Sequence, residues 1–146
     1  MQPDIQKLAN SINELWSTGN ASLVRQVYTD NCVRYDPNSP DGVRGTDGLA
    51  NYVGQIRTAY PDFRAEVRDA VSEGNYAAFH WNCTGTHKGD FFGIPPTDKR
   101  VNVSGVSLCR IQNGKISEER VFFDRLGLME QLGVVPETTR TKRATT

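Results

Sequence analysis

The sequence predicts a single α+β domain in which helices come first and a strongly curved sheet comes second. Two observations carry this prediction. Apolar residues recur with the period of an amphipathic helix through about the first 60 residues, and the period then changes to two. Helices that precede a run of strands, rather than alternate with them, favour an α+β fold over a parallel α/β fold.

The first helix is predicted where apolar residues stand at helical intervals, at Ile5, Leu8, Ile12, Leu15 and Trp16. Gly19-Asn20 breaks it, and a short second helix around Val24 should pack antiparallel to it. A third helix begins at Thr46 or Asp47, either of which can cap it, and ends at Pro61.

The strands are predicted from alternating apolar residues and from turn signals. A short strand at Cys32–Asp36 precedes a loop at Asn38–Gly45. After Pro61, a strand around Phe63–Val67 and three longer ones form an antiparallel meander: Tyr76–His87, Arg100–Ile111 and Lys115–Phe123. A last short helix follows at Leu126–Leu132. Helices on one face of a bent sheet would enclose a cone, and such a pocket is the default ligand site.

Length and charge limit the classes of function. The 146 residues suffice for one domain, predicted at residues 1–135, with a polar and basic flexible tail at 136–146. Lys plus Arg and Asp plus Glu are balanced at 17 each, so we expect no nucleic-acid partner. No apolar run approaches the length of a membrane span, so no membrane role is expected.

Cysteine and histidine usage bears on location and metal binding. The three cysteines are odd in number and form no CxxC pair, which indicates reduced thiols and a cytoplasmic protein. The two histidines, His80 and His87, have no second ligand at a metal-site spacing, so we expect no metal.

Five short segments carry a resemblance to a known family: Tyr60-Pro-Asp-Phe, Gly85-Thr-His-Lys-Gly, Gly93-Ile-Pro-Pro-Thr, Asn113-Gly-Lys-Ile and Asp124-Arg-Leu-Gly-Leu-Met-Glu-Gln-Leu-Gly. With them the chain resembles the SnoaL-like polyketide cyclases of the NTF2-like superfamily, from the first helix to Gly133. The resemblance implies the cone-shaped NTF2-like fold and a cofactor-free enzyme that closes a carbon ring by intramolecular aldol addition. One departure is Glu119-Arg120, where the resemblance implies an aromatic residue or histidine; a charged pair changes the polarity of the pocket.

Two residues are the predicted catalytic groups. The resemblance implies that Asp124 is the acid/base, and apolar neighbours would raise its pKa toward a useful range. The alternative is that Asp124 only caps the last helix. His87 resembles a family hallmark and shares strand parity with Trp81, so it should face the apolar side and could donate a proton. The alternative is a structural histidine that bonds the following loop.

Further residues are predicted to bind the substrate. Trp16, Tyr35, Trp81 and Phe92 could line or cover a pocket for a flat ligand. The first three are also natural core residues, whereas Phe91-Phe92 lies in a loop and would form a lid or a subunit contact. Strand parity groups the remaining predicted contacts into inward rows, with an ordinary solvated face as the alternative: Leu108 and Arg110 on one strand, and Arg120 and Phe122 with Asp124 on the next.

The leading prediction is therefore a cofactor-free cyclase or isomerase of a small hydrophobic or polycyclic, polyketide-like substrate. One alternative is an epoxide hydrolase of the limonene type, in which Glu118, Arg120 and Asp124 would form an acid–arginine–acid relay. The other is a binding protein without catalysis. An open sheet has an exposed face that needs cover, and Phe91-Phe92 supplies an apolar edge, so the sequence also predicts a homodimer.

Overall fold

The computed structural model describes residues 4–135, which form four α-helices, a single 3-10 turn and one six-stranded sheet. The helices are Ile5–Thr18 (α1), Val24–Val27 (α2), Gly45–Ala59 (α3) and Arg125–Leu132 (α4). The strands are Tyr28–Asp36 (β1), Ser39–Arg44 (β2), Arg64–Glu73 (β3), Tyr76–Thr86 (β4), Arg100–Gln112 (β5) and Lys115–Phe123 (β6). The predicted tail at 136–146 lies outside the described residues, so the boundary at residue 135 stays a prediction.

The sheet has the strand order β2-β1-β6-β5-β4-β3. The predicted meander from β3 to β6 is antiparallel throughout, and β1 joins it by pairing parallel to β6. The α+β prediction is therefore confirmed. The predicted loop at Asn38–Gly45 is wrong, because β2 forms there as an edge strand. A strand at the edge tolerates Pro40 and Gly42, which hid it in the sequence.

Helix α1 covers the free edge of the sheet at β3. The backbone N–H of Val67 donates to Oδ1 of Asn13 at 2.7 Å, and that of Ala65 donates to Oγ of Ser17 at 3.0 Å. These side chains satisfy strand groups that would otherwise have no partner at the edge. Asp4 caps the start of α1 by accepting from the N–H of Lys7.

Helix α3 positions one wall of the interior. It begins at Gly45 and its N-cap is Arg44, so the predicted cap at Thr46 or Asp47 is wrong. At its other end the guanidinium of Arg57 donates to the carbonyls of Ser17, Pro61 and Phe63 at 2.6–3.0 Å. This one side chain fixes the end of α3 against both α1 and the start of β3.

Strand β5 separates two faces of the sheet. Its residues alternate between exposed and buried over the full length from Arg100 to Gln112. The predicted hairpin turn at Asn113-Gly114 is confirmed, with positive φ angles of 54° and 76°. The inner face of the sheet packs against the helices. Large apolar side chains also remain exposed on the other face, called here the outer face: Val71, Tyr76, Val106, Leu108 and Phe122. No helix within residues 4–135 is long and apolar enough to cross a membrane.

Candidate active site

A cavity lies between the inner face of the sheet and helices α1, α3 and α4. The cavity has a volume of about 800 Å³, which includes the part that is open to solvent. Its walls are largely aromatic and aliphatic, with Trp16 from α1, Tyr60 from the end of α3, Trp81 from β4 and Phe123 from β6. Walls of this kind suit a small apolar ligand.

Three charged side chains meet in the wall of this cavity. Arg34 and Asp36 are two positions apart on β1, so both point to the inner face. The parallel pairing of β1 with β6 places Glu119 directly opposite Arg34. The Nε of Arg34 donates to Oε1 of Glu119 at 3.1 Å, and its NH1 group donates to Oδ2 of Asp36. All three residues are buried.

Two aromatic rings pack against the guanidinium group of Arg34. The Cζ of Arg34 lies 4.9 Å from the ring centroid of Trp16 and 5.0 Å from that of Tyr52. Contacts of this type favour a desolvated guanidinium. Burial alone would lower the pKa of Arg34, but the charge of Glu119 and the other negative partners raise that pKa well above its usual value. Arg34 therefore stays charged in the wall.

Two tyrosine hydroxyls complete the cluster. Tyr28 donates to Oε1 of Glu119 at 2.6 Å, and Tyr52 donates to Oδ2 of Asp36 at 2.5 Å. Burial raises the pKa of Tyr28 well above its ordinary value and raises the pKa of Tyr52 to about 12. Both phenols are thus neutral hydrogen-bond donors at neutral pH.

The two carboxylates differ in how fully they are bonded. Oδ1 of Asp36 accepts from the backbone N–H groups of Asn38 and Ser39 at 2.7 and 2.8 Å, so both of its oxygens carry two bonds. Glu119 accepts its bonds from Tyr28 and Arg34 on Oε1, and Oε2 carries neither of them. Two carboxylates share one guanidinium, which gives the cluster one net negative charge.

The four predicted aromatic contacts divide between the cavity and the surface. Trp16 and Trp81 line the cavity, and the indole N–H of Trp81 donates to Oγ of Ser107 at 3.0 Å. Tyr35 points to the opposite side of β1 from Arg34 and packs against Arg120. Phe92 is 42% exposed and does not line the cavity, whereas its neighbour Phe91 is buried and does.

The predicted inward rows on β5 and β6 point outward, which corrects the placement of four predicted substrate contacts. Leu108 is 45% exposed and Phe122 is 59% exposed, and Arg110 and Arg120 lie with them on the outer face. The side chains of opposite parity, such as Glu119 and Phe123, line the cavity instead. The outer face carries enough apolar residues to resemble a core face, so strand parity alone does not show which row points inward.

Asp124 does not lie at the cavity floor, as had been expected. Its side chain is exposed, and Oδ1 accepts from the backbone N–H of Gly127 at 2.8 Å as the N-cap of α4. The proposed row of Glu118, Arg120 and Asp124 is likewise outside the cavity lining. A different acid–arginine–acid arrangement, formed by Glu119, Arg34 and Asp36, does line it.

His87 is fully buried, but it lies behind the cavity wall and is not part of the lining. Its ring packs against Tyr60 and Phe91, with centroid distances of 5.4 and 6.1 Å. His80, as strand parity predicts, lies on the other side of the sheet, where Nδ1 is 2.9 Å from a carboxylate oxygen of Asp69.

Sequence reasoning gave no site role to Arg34, Asp36 and Tyr52, which line the cavity, and singled out Glu119 only as half of a charged pair that changes the polarity of the pocket. One signal was present. Arg34 and Asp36 have the same strand parity as the buried Cys32, and two charges on a core face suggest a site. Their partner Glu119 comes from a strand 85 positions later, which no local pattern identifies. Within residues 4–135, no three His, Cys, Asp or Glu side chains come together as a metal site.

A mixed sheet that helices close over a cavity is the NTF2-like fold. The buried ionisable groups in the cavity wall are those of an enzyme site. The sequence model for the SnoaL-like polyketide cyclases matches residues 6–132. The chain belongs to the SnoaL-like polyketide cyclase family, so the family prediction is confirmed and the protein is a cyclase-type enzyme.

Individual relatives agree with this assignment. The nogalonic acid methyl ester cyclase of Streptomyces nogalater is 33% identical over 90 residues, which cover 61% of this chain and 67% of the relative. The aklanonic acid methyl ester cyclase of Streptomyces sp. (strain C5) is 26% identical over 140 residues, 91% of this chain and 83% of the relative. The solved structure of TsrD from Streptomyces laurentii is similar in fold, with a TM-score of 0.80 at 24% identity, covering 89% and 95% of the two chains.

Proposed function

We propose that this protein is a cofactor-independent cyclase that closes a carbon ring of a polyketide-like ester by intramolecular aldol addition. The observation that carries the proposal is the buried cluster of Glu119, Arg34 and Asp36 in the wall of an otherwise apolar cavity. The two relatives described above are cyclases of nogalonic acid methyl ester and aklanonic acid methyl ester, which indicates the substrates to test.

Glu119 is the proposed acid/base. Asp36 accepts two bonds on each oxygen, whereas Oε2 of Glu119 carries neither of the two bonds made by Tyr28 and Arg34. Glu119 lines the cavity, where a carboxylate can take a proton from a bound ligand. This role had been expected of Asp124, which the cavity does not include.

In the proposed reaction, Glu119 takes one proton from the substrate and later returns it to the product. Oε2 of Glu119 removes a proton from a carbon flanked by carbonyls, and the C–H electron pair becomes an enolate. The enolate carbon attacks the carbonyl carbon at the other end of the chain, and a carbon–carbon bond forms. The carbonyl π electrons move to its oxygen, which takes the proton back from Glu119. The apolar walls favour closure by holding the two ends together.

Substitution of Glu119 by Gln tests this role. Gln keeps the shape and the acceptor at the Oε1 position but cannot take a proton. We expect conversion of nogalonic or aklanonic acid methyl ester to an isomer of equal mass to slow by on the order of 10² to 10⁴. The rate is measured by liquid chromatography with mass detection, and thermal unfolding checks that the variant is folded.

Glu118→Gln is the matched control, because Glu118 is the neighbouring residue on β6 and forms its ion pair with Arg120 on the other side of the strand. We expect this variant to keep the rate of the unmodified protein. A Glu119→Gln variant that also keeps that rate would remove Glu119 from the mechanism, and failure of the unmodified protein to convert either ester would reject this substrate class.

The position of Arg34 between two carboxylates favours one second candidate, epoxide hydrolysis through an acid–arginine–acid relay. In that reaction one carboxylate takes a proton from water, the water oxygen attacks an epoxide carbon, and the second acid protonates the epoxide oxygen as its C–O bond breaks. Asp36 fits the second role poorly, because both of its oxygens already accept hydrogen bonds from other groups of the protein. Formation of a diol from limonene 1,2-epoxide would favour this candidate over the cyclase.

We further propose a homodimer through the open face of the sheet, which is one of the two features from which the sequence predicts it. Phe91 is buried and lines the cavity, so only Phe92, which is 42% exposed, remains of the predicted apolar edge. The outer face supplies the exposed apolar area instead, and a second copy of the chain is the proposed partner.

A further inference from the structure

Ser107 carries a buried hydroxyl in the cavity wall that the proposed reaction does not use. It lies in the middle of β5 at an inward position, it lines the cavity, and it is only 4% exposed. The other inward residues of β5 are apolar or glycine: Val101, Val103, Gly105, Cys109 and Ile111. A hydroxyl in such a row requires an explanation, because buried polar groups normally have a hydrogen-bonding role.

The hydrogen bond that Ser107 makes leaves its own proton available. The indole N–H of Trp81 can only donate, so Oγ of Ser107 is the acceptor in their contact at 3.0 Å. Among residues 4–135, no group accepts a hydrogen bond from Ser107 in return. A serine hydroxyl has one donor proton as well as its acceptor capacity, so this proton can bind an acceptor that occupies the cavity.

The indole of Trp81 holds the serine oxygen from a fixed position. Its ring lies across Gly105, where an added Cβ would come within 2.5 Å of a ring atom, and it contacts Phe123 with a centroid distance of 6.3 Å. The bond from Trp81 therefore restricts the O–H of Ser107 to directions away from the indole. A donor that is oriented before the ligand binds stabilises a developing charge without further rearrangement.

Ser107 and Glu119 face the same side of the sheet from adjacent strands. In the antiparallel pairing of β5 with β6, Cys109 stands directly opposite Glu119. Ser107 comes two positions before Cys109, so it is a diagonal neighbour of Glu119, at a typical separation of about 7–8 Å between the two positions. A carbonyl group that accepts from Ser107 while its neighbouring carbon contacts Glu119 would span this gap, because each of the two contacts takes about 3 Å.

The other hydroxyl groups around Glu119 are already bonded to carboxylates. Tyr28 donates to Glu119 itself, and Tyr52 donates to Asp36. Ser107 differs from both, because its proton has no acceptor among the residues that the structure describes. It is therefore the hydroxyl on this part of the wall that can donate to a ligand without first breaking a bond inside the protein.

We propose that the hydroxyl of Ser107 donates a hydrogen bond to the ligand oxygen that becomes negative when Glu119 removes a proton from the adjacent carbon. Ser107 is the contacting residue, and Trp81 is a positioning residue that acts through it. Ser107 keeps its proton: the C–H electron pair moves into the enolate, and the enolate oxygen accepts the bond. This inference rests on the proposed function, since it assumes a carbon acid as ligand, and it adds where the carbonyl oxygen lies.

Binding of a stable oxyanion tests this hydrogen bond without requiring turnover. The probe is 4-nitrophenolate, and nitrobenzene is the matched compound that lacks the charged oxygen. The Glu119→Gln variant is the starting protein, because a Gln side chain resembles Glu119 after it has taken a proton and does not repel an anion. Calorimetric titration, at a pH at which the probe is ionised, gives the dissociation constants of both compounds.

Ser107→Ala, added to Glu119→Gln, removes the hydroxyl. We expect it to weaken the binding of 4-nitrophenolate by about 10- to 100-fold, the usual value of a hydrogen bond to a charged group, and to leave nitrobenzene unaffected. A merely structural hydroxyl would change the melting temperature without changing the ratio of the two dissociation constants. Ser107→Thr keeps a hydroxyl and should keep the binding of the anion.

Ser104→Ala is the matched control for the loss of a serine hydroxyl. Ser104 belongs to the same strand but faces outward, and its Oγ also accepts a side-chain N–H, from Asn82 at 3.0 Å. We expect this variant, in the Glu119→Gln protein, to bind both compounds as the starting protein does. In the ester assay, Ser107→Ala alone should lower kcat by about 10- to 100-fold and change KM little, because the bond strengthens only as the charge develops.

The outcomes separate this inference from the proposed function. Unchanged binding of 4-nitrophenolate in Ser107→Ala, an equal loss for both compounds, or no binding of the anion by Glu119→Gln would each overturn the role of Ser107. The comparison of Glu119→Gln with the unmodified protein would still decide the acid/base role of Glu119. Failure to convert either ester would reject the proposed substrates, whereas a loss confined to the anion in Ser107→Ala would still support the site at Ser107.

Discussion

Arg34 is surrounded by groups that all favour its charge. Two carboxylates bond its nitrogens, and the rings of Trp16 and Tyr52 lie within about 5 Å of its Cζ atom. Removing this side chain would leave two buried carboxylates facing each other, at a cost of about 3–5 kcal/mol. Variants of Arg34 would therefore confound catalysis with stability, and for that reason Glu119 is the better residue to substitute.

Asp124 provides a separate prediction, because its structural role alone accounts for its position. Asp124→Asn should change neither turnover nor the melting temperature, since Asn caps a helix about as well as Asp. Asp124→Ala should keep turnover and lose about 1 kcal/mol of stability with the cap. Thermal unfolding and the ester assay measure both quantities. A large loss of turnover in the Asn variant would restore Asp124 as the acid/base.

The sequence placed Asp124 in the cavity, where the structure has Glu119, and the reason is a simple physical one. Asp124 and Glu119 both belong to the region of β6, and only the parity of the strand decides which side chain enters the cavity. Glu119 shares its inward parity with Val121 and Phe123, while Phe122 shares the outward parity of Asp124. Both rows contain an aromatic residue, so the alternation of apolar residues could not select between them.

At the scale of the elements, the alternation of apolar and polar residues identified the strands. It did not determine which face of each strand points to the interior. Regular antiparallel pairing of β4 with β5 made the contrast between His80 and His87 predictable. In β5 the outward positions Val106 and Leu108 are as apolar as the inward ones, so the same reasoning failed. Strand β2 was missed because proline and glycine normally indicate a loop, and they are compatible with pairing only at an edge.

The loop between β4 and β5 contains a glycine, Gly89, that packs against the last residues of α3, and this gives a prediction for the loop. The N–H groups of Lys88 and Gly89 both donate to the carbonyl of Ala59. A Cβ at Gly89 would lie 2.2 Å from the carbonyl oxygen of Thr58, which is backbone and cannot move aside. Gly89→Ala should cost about 2–3 kcal/mol in the free energy of unfolding, measured by urea titration.

Gly54→Ala is the matched glycine control. Gly54 lies inside α3, and no atom stands within 4 Å of an added Cβ, so alanine should stabilise the protein by about 1 kcal/mol through helix propensity. Equal effects of the two substitutions would show that the loop is not held against α3 in the way described.

At the scale of the whole molecule, the order of elements was sufficient to predict the α+β class, and short segments along the chain were sufficient for the family. The parallel pairing of β1 with β6 was not predictable, because it joins strands that are far apart in sequence. The charged cluster depends on that pairing. The cavity chemistry therefore appears only when the fold is complete, whereas the aromatic walls could be anticipated from composition.

The outer face gives a prediction for assembly. If two copies meet there, Phe122→Glu should place a charge in the interface and yield monomers. Sedimentation at tens of micromolar should then give 16.3 kDa for the variant and twice that mass for the unmodified protein. Leu126→Glu is the control, because Leu126 is equally exposed but belongs to α4, which packs on the cavity side. A mass of 16.3 kDa for the unmodified protein would contradict the dimer.

The unbroken alternation of β5 restricts how the chain can change in length. Deleting one residue near the middle of β5 would exchange the two faces of the strand beyond that point, so that Arg110 would enter the interior and Cys109 would leave it. The turn at Asn113-Gly114 lies outside the alternating segment, and an added Cβ at Gly114 meets no atom within 4 Å. Insertions are therefore tolerable at that turn, while the middle of β5 admits substitutions only.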